Sequence, residues 1–238
     1  MRPAALFDVD GTLITTTSLF SFLRSWFAVL GRPAEDYQRF RATLAAMTAS
    51  GVPREQTNRS YFRAYAGHDA AAIAEHGRRW FAEEAASGGL FHDEVLSRLR
   101  EHAADGSLVV LVSGSFPACL DPIRERIRPD VLICSRPVIR DGVYTGEVEV
   151  PMIGEAKAHA VRRLAAERGL DLGRSYAYGD HLSDLPILRC VGHPVQVGGD
   201  EALTVIARTE GWPVVPAARR PGRPAPAPRP SPSRADAR

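Results

Sequence analysis

Residues 4–10 read AALFDVD and residues 107–113 read SLVVLVS. A β-strand turns successive side chains to opposite faces, so a run that is apolar at almost every position needs cover on both sides. That requirement places both segments in the middle of a parallel sheet and excludes a sheet with one wet face. It also raises a difficulty. The first run closes on two carboxylates, Asp8 and Asp10, followed by Gly11 and Thr12. Buried like charges that close together are costly unless a cation lies between or beside them.

The rest of the chain supplies the layers such a sheet needs. Helical periodicity runs through 17–30, 34–49, 54–66 and 69–86, punctuated by Gly31-Arg32-Pro33, Gly51-Val52-Pro53 and Gly67-His68-Asp69. From about residue 90 strand and helix alternate. Helices are expected near 91–104, 117–127, 155–168, 183–189 and 200–208, with strands at 107–113, 130–135, 175–180 and 193–197. Asp141-Gly142 between alternating apolar arms reads as a β-hairpin over 136–150. The pattern divides the chain into an α/β core of residues 1–13 and 89–212 and a helical insertion over 14–88. A Pro/Arg-rich segment at 213–238 has a composition that cannot bury a core and is expected to be disordered.

Charge and cysteine usage narrow the function classes. The net charge of +2 comes from the tail, where six arginines from Arg219 onward face only Asp236. Without that tail the chain is slightly acidic, which gives no case for nucleic-acid binding. No apolar stretch is long and uncharged enough to span a bilayer, and the two aspartates interrupt the N-terminal apolar run before it could act as an export signal. Three scattered cysteines form no CxxC pair, so neither a disulfide framework nor a zinc site is suggested and a reducing cytoplasm is expected. Oligomeric state is not legible in the sequence.

In an open parallel sheet, ligands bind beyond the carboxyl ends of the strands. Three strands there close on chemistry-bearing residues: Asp8 and Asp10 with Gly11 and Thr12, then Ser113-Gly114-Ser115, then Gly179-Asp180 with Asp184 four residues on. Residues i and i+2 of a strand share a face, so Asp8 and Asp10 are expected to converge. With Asp180 and Asp184 they make a set of hard oxygen ligands suited to Mg²⁺. Thr12, Ser113 and Lys157 offer donors and positive charge for an anion. Lys157 is the only lysine in a chain that otherwise uses arginine throughout, as expected if this position needs a compact ammonium.

DVDGT, a strand ending in SGS, an isolated Lys and GDHLSD, in that order, resemble the four motifs of the haloacid dehalogenase-like phosphohydrolases. The helical insertion between the first two motifs resembles the C1-capped branch that includes phosphoserine phosphatase. The resemblance covers residue 4 to about 200. It implies a Rossmann-like three-layer α/β core with an inserted C1 cap, and a Mg²⁺-dependent phosphomonoesterase acting on a small phosphate ester. Asp8 would be the nucleophile that forms an aspartyl-phosphate, and Asp10 the acid and base. Thr12, Ser113 and the Gly114 amide would bind the phosphoryl group, and Lys157 would stabilise its charge. Asp8, the Asp10 carbonyl, Asp180 and Asp184 would hold the metal.

Phosphotransfer or mutase chemistry through the same intermediate, and a non-catalytic binding module, are the alternatives. A kinase is disfavoured by the absence of GxxxxGK[ST]. Specificity is expected in 14–88, where Thr17 stands in place of the Glu that reads the amino group in phosphoserine phosphatases. Thr15, Thr16, Thr17, Ser18, Phe20, Phe22, Trp26 and Phe27 could line a substrate pocket, the aromatics alternatively forming the insertion's own core. His181 could touch substrate or orient a carboxylate.

Overall fold

A computed structural model describes residues 1–218. Strands β1 (Ala4–Phe7), β2 (Leu108–Ser113) and β3 (Val131–Cys134) form one half of a sheet. Strands β6 (Tyr176–Gly179), β7 (His193–Val197) and β8 (Val214–Val215) form the other, in the order β3-β2-β1-β6-β7-β8. Every pairing is parallel. In sequence, β4 (Pro137–Arg140) and β5 (Val143–Val148) come between β3 and β6 and form a separate two-stranded antiparallel sheet.

The alternation expected of a doubly covered strand is seen in β1. Ala5 and Phe7 enter one apolar cluster and Ala4 and Leu6 the other. The Phe7 side is packed by α5 (Asp93–Ala104) through Val95 and Leu99 and by α6 (Pro117–Ile127) through Cys119, Leu120 and Ile123. The Leu6 side is packed by α7 (Glu155–Arg168), α8 (Leu185–Leu188) and α9 (Glu201–Glu210) through Val161, Leu164, Ile187, Leu188 and Leu203. The result is the three-layer core expected from the apolar runs.

Helices α1 (Ser18–Val29), α2 (Ala34–Ala49), α3 (Arg54–Phe62) and α4 (Ala70–Ala86) are inserted after β1. They share the Phe7-side cluster. The Phe22 ring packs edge-on to Phe116, Trp80 and His76, and Phe116 in turn meets Phe62 and Tyr65. Phe22, Trp26 and Phe27 are buried in this core, so these three aromatics pack the insertion and do not line a pocket. Helices α4 and α6 meet backbone to backbone: a Cβ on Gly77 would fall 1.9 Å from the Ala118 carbonyl oxygen. The β4–β5 hairpin joins the insertion too. Gly67 and Ala70 donate to the Tyr144 and Gly142 carbonyls, and Arg59 Nη1 donates to the Val148 carbonyl at 2.6 Å.

One expectation fails within the described residues. Order continues past residue 213, where Val214 and Val215 pair with Gln196 and Val197 and the buried Val215 completes the apolar cluster. Two valines next to Pro213 and Pro216 are too short a run to signal a strand against that composition. The rest of the expected tail, residues 219–238, lies outside the described residues.

Candidate active site

The strand order reverses at β1, with β2 on one side and β6 on the other, which creates the crevice where such sheets bind ligands. Asp8 leaves β1 into it, its N–H donating to the Tyr178 carbonyl of β6. The chain then turns tightly: Ile14 N–H and Thr12 N–H both return to the Val9 carbonyl. Gly11 sits at φ +87°, and a Cβ there would lie 2.3 Å from Asp180 Oδ2. Glycine is therefore required twice, for the backbone angle and for the approach of Asp180.

Lys157 enters from the first turn of α7 and is buried with its partners. Its Nζ donates to Asp8 Oδ1 at 2.5 Å and to Asp184 Oδ1 at 2.7 Å, with Asp8, Asp184 and Lys157 each at most 5 % exposed. Burial works against the ammonium, but Asp184 and Asp8 outweigh it and hold the Lys157 pKa above its ordinary value. Asp8 is raised well above the usual carboxylate range by burial. Lys157 opposes that rise, while Asp184 and Asp180 add to it.

One lysine thus faces several carboxylates, and one oxygen from each of Asp8, Asp180 and Asp184 lies within 4.8 Å of the others. An all-oxygen donor set with excess negative charge, and with a glycine cleared beside Asp180, fits a hard divalent cation such as Mg²⁺. Thr12 Oγ1 donates to Asp180 Oδ1 at 3.3 Å. The other oxygen of Asp184 accepts from the His181 N–H, and His181 Nδ1 accepts from Ser183 N–H, so His181 caps the short turn that carries Asp184.

Asp10 has a different environment. Its Oδ1 accepts from the Ser18 N–H and its Oδ2 from the Ser18 hydroxyl, both at 3.0 Å. Burial pushes its pKa up to about 6, against the hydrogen bonds from Ser18. The two aspartates therefore have separate partners, a cation for Asp8 and hydroxyl and amide donors for Asp10. Environments that differ in this way push the proton affinities of two neighbouring carboxyls apart.

Ser113 ends β2, where its Oγ accepts from Ser115 N–H at 3.0 Å. The Gly114 carbonyl is held by Ser135 Oγ at 2.9 Å and by Asn58 Nδ2 of α3 at 3.3 Å. A second link from the insertion runs from Arg54 Nη1 to His181 Nδ1, 2.6 Å apart, with Ser183 Oγ at 3.2 Å. The contacts made by Ser18, Ser115, Asn58 and Arg54 are not legible from the motifs. Ser18 and Ser115 lie at the edges of TTTS and SGS, where the only signal is a run of hydroxyls.

A parallel sheet that gathers a buried lysine and three carboxylates at its switch point defines an α/β protein built to hold an anionic ligand beside a divalent cation. The chain belongs to the haloacid dehalogenase-like hydrolases, whose family model matches residues 5–189. It is 34% identical over 230 residues to an "Inhibition of morphological differentiation protein" of Streptomyces azureus, covering 90% of this chain and 78% of that one. It is 34% identical over 242 residues to a "Probable phosphatase" of Mycobacterium tuberculosis, covering 94% and 80%. The solved structure of a phospho-aspartyl intermediate analogue of phosphoserine phosphatase superposes with a TM-score of 0.68 at 20% identity, covering 92% of this chain and 94% of that one. Fold and relatives together identify a phosphatase of this family with the architecture of the capped phosphoserine phosphatases. No helix among the described residues is long and apolar enough to cross a membrane.

Proposed function

We infer that the enzyme is a Mg²⁺-dependent phosphomonoesterase that hydrolyses a small phosphorylated metabolite through an aspartyl-phosphate on Asp8. The observation that carries this reading is the Lys157 ammonium held between Asp8 and Asp184 beside the three-carboxylate cluster. Lys157 offsets part of the cost that burial puts on an ionised Asp8, and bound Mg²⁺ would offset more, which would leave one carboxylate oxygen available to attack phosphorus. As the new P–O bond forms, the ester P–O bond breaks and the leaving oxygen takes the Asp10 proton. In the second half Asp10 accepts a proton from water, the water oxygen bonds to phosphorus, and the P–O bond to Asp8 breaks.

Ser113, the Gly114 amide and Thr12 would donate to phosphoryl oxygens, and Lys157 would offset their charge. Asp8, Asp180, Asp184 and the Asp10 carbonyl would hold Mg²⁺, which when bound supplies positive charge to the phosphoryl oxygens and orients them. Asp184 has a second role in this reading, fixing Lys157.

Residues 14–88 act as the lid that excludes water and reads the part of the substrate remote from phosphate. Thr17, in place of an acidic side chain, disfavours phosphoserine and favours an ester without an ammonium group at that position. Three free cysteines, two of them buried, suit a reducing cytoplasmic setting.

The test is free-phosphate release from a panel of phosphorylated metabolites with Mg²⁺, compared with EDTA and with Asp8→Asn. Activity abolished by both supports the reading. Turnover that survives either one refutes it, and phosphate moved to an added alcohol without release of free phosphate would replace hydrolysis by transfer.

A further inference from the structure

The fully buried Ser18 lies at the first residue of α1, and its hydroxyl donates to Asp10. The residue before it, Thr17, occupies the N-cap position and makes no side-chain cap bond. The first turn of a helix leaves its N–H groups without intrahelical partners. Here the Asp10 carboxylate, eight residues upstream, takes the Ser18 N–H on one oxygen while the Ser18 hydroxyl takes the other. A carboxylate bound at both oxygens by one residue cannot rotate about its terminal bond without losing a contact.

Behind Ser18 is a second fully buried hydroxyl. Ser18 Oγ and Ser115 Oγ are 2.8 Å apart, and Ser115 is tied through its N–H to Ser113 Oγ. The fully buried Cys119 lies close to both serines. Each hydroxyl has one proton and can accept as well as donate. When Asp10 is ionised, the Ser18 O–H points at Oδ2 and Ser115 donates to Ser18 Oγ. When Asp10 is protonated, the Ser18 O–H can turn to Ser115 Oγ.

We propose that Ser18, backed by Ser115, is the positioning residue for Asp10. It holds the carboxyl in the orientation from which the proton passes to the leaving oxygen, and so makes proton donation depend on the docking of the first lid helix. The proposal rests on Asp10 being the acid, as inferred above. General acid catalysis matters most when the leaving oxygen is a poor leaving group, and little when it departs readily as an anion. A merely structural serine would slow all esters alike.

The experiment compares phenyl phosphate with p-nitrophenyl phosphate, two esters of similar shape and different leaving-group basicity, in saturating Mg²⁺. Ser18→Ala keeps the backbone donor and removes the hydroxyl. Its single-turnover rate of alcohol release, which precedes the second half where Asp10 acts on both esters alike, is expected to fall about ten- to a hundredfold on phenyl phosphate, as for a misplaced catalytic group, and by less than about threefold on p-nitrophenyl phosphate. Ser18→Thr should restore phenyl phosphate turnover. Ser115→Ala, made separately in case Ser18→Ala folds poorly, should show the same selectivity at smaller size.

Equal losses on both esters, or no loss on either, overturn the proposal. Asp10→Asn on the same pair separates the two levels. If that variant shows no dependence on leaving group, the assignment of Asp10 as acid fails. If it does and the serine variants do not, only the positioning role fails.

Discussion

Asp10→Asn is expected to abolish turnover of poor leaving groups while making the metal-free protein more stable. In the folded chain burial raises the Asp10 pKa from 3.8 to about 6. A carboxyl with a raised folded pKa binds its proton more tightly in the native state than in the unfolded one. Its contribution to stability is therefore greatest below about pH 4 and is lost as the pH rises through about 6. Above that window the native state bears the cost of a buried charge. About two pKa units at about 1.4 kcal/mol each give a ceiling of roughly 3 kcal/mol, reduced somewhat because Asp10 is not fully excluded from solvent.

Asparagine has nearly the same shape and no charge. Its Oδ1 can keep the Ser18 N–H, and its Nδ2 can donate to Ser18 Oγ, which then donates to Ser115. Urea unfolding in EDTA at pH 8 should show Asp10→Asn more stable than the parent by about 2–3 kcal/mol, or on the order of 4–12 °C in Tm for a chain of this size. The difference should shrink on acidification and vanish near pH 4. A variant less stable than the parent at pH 8, or a gain independent of pH, would refute the electrostatic reasoning.

Three further perturbations test other parts of the account. Lys157→Met leaves Asp8 and Asp184 buried without their cation, so it should cost about 3–5 kcal/mol. With the one opposing charge gone the folded Asp8 pKa rises further, so the loss measured in urea should be larger at pH 8 than at pH 5. Gly77→Ala puts a methyl group 1.9 Å from the Ala118 carbonyl, which must push α4 from α6 and lower stability by about 1–3 kcal/mol in chemical denaturation. Mg²⁺ at about a hundred times its Kd should stabilise the parent by about 2.7 kcal/mol in a thermal shift assay, and Asp180→Asn should lose most of that gain.

Much of the layered fold is legible in the chain because each element carries its own signal. AALF and LVVLV are apolar at every position, and covering both faces leaves few alternatives to a parallel sheet between helices. The candidate site is legible because Asp8, Asp10, Ser113 and Asp180 stand at or just beyond strand ends, where residues distant in sequence must converge, while Lys157 joins them from the first turn of α7. The Asp10 partner is a different case. Asp10 and Ser18 are eight residues apart across a turn, and Ser18 meets Ser115 across ninety-seven. No periodicity records such a pairing, and a serine at a helix start has an ordinary capping role to suggest instead. The position of the hairpin is equally tertiary. Asp141-Gly142 announces a turn, but only the carbonyls of Gly142, Tyr144 and Val148, each taken by a donor from residues 59–70, show which helices it joins.

The central claim is that Asp8 attacks phosphorus. The most direct measurement is an acid-quenched single turnover with a ³²P-labelled ester and Mg²⁺, followed by peptide mapping. Radioactivity on the peptide containing Asp8, released by hydroxylamine and absent from Asp8→Asn, is the predicted result. Release of labelled phosphate at full rate with no label on that peptide at any time, or label carried by another residue, would contradict it.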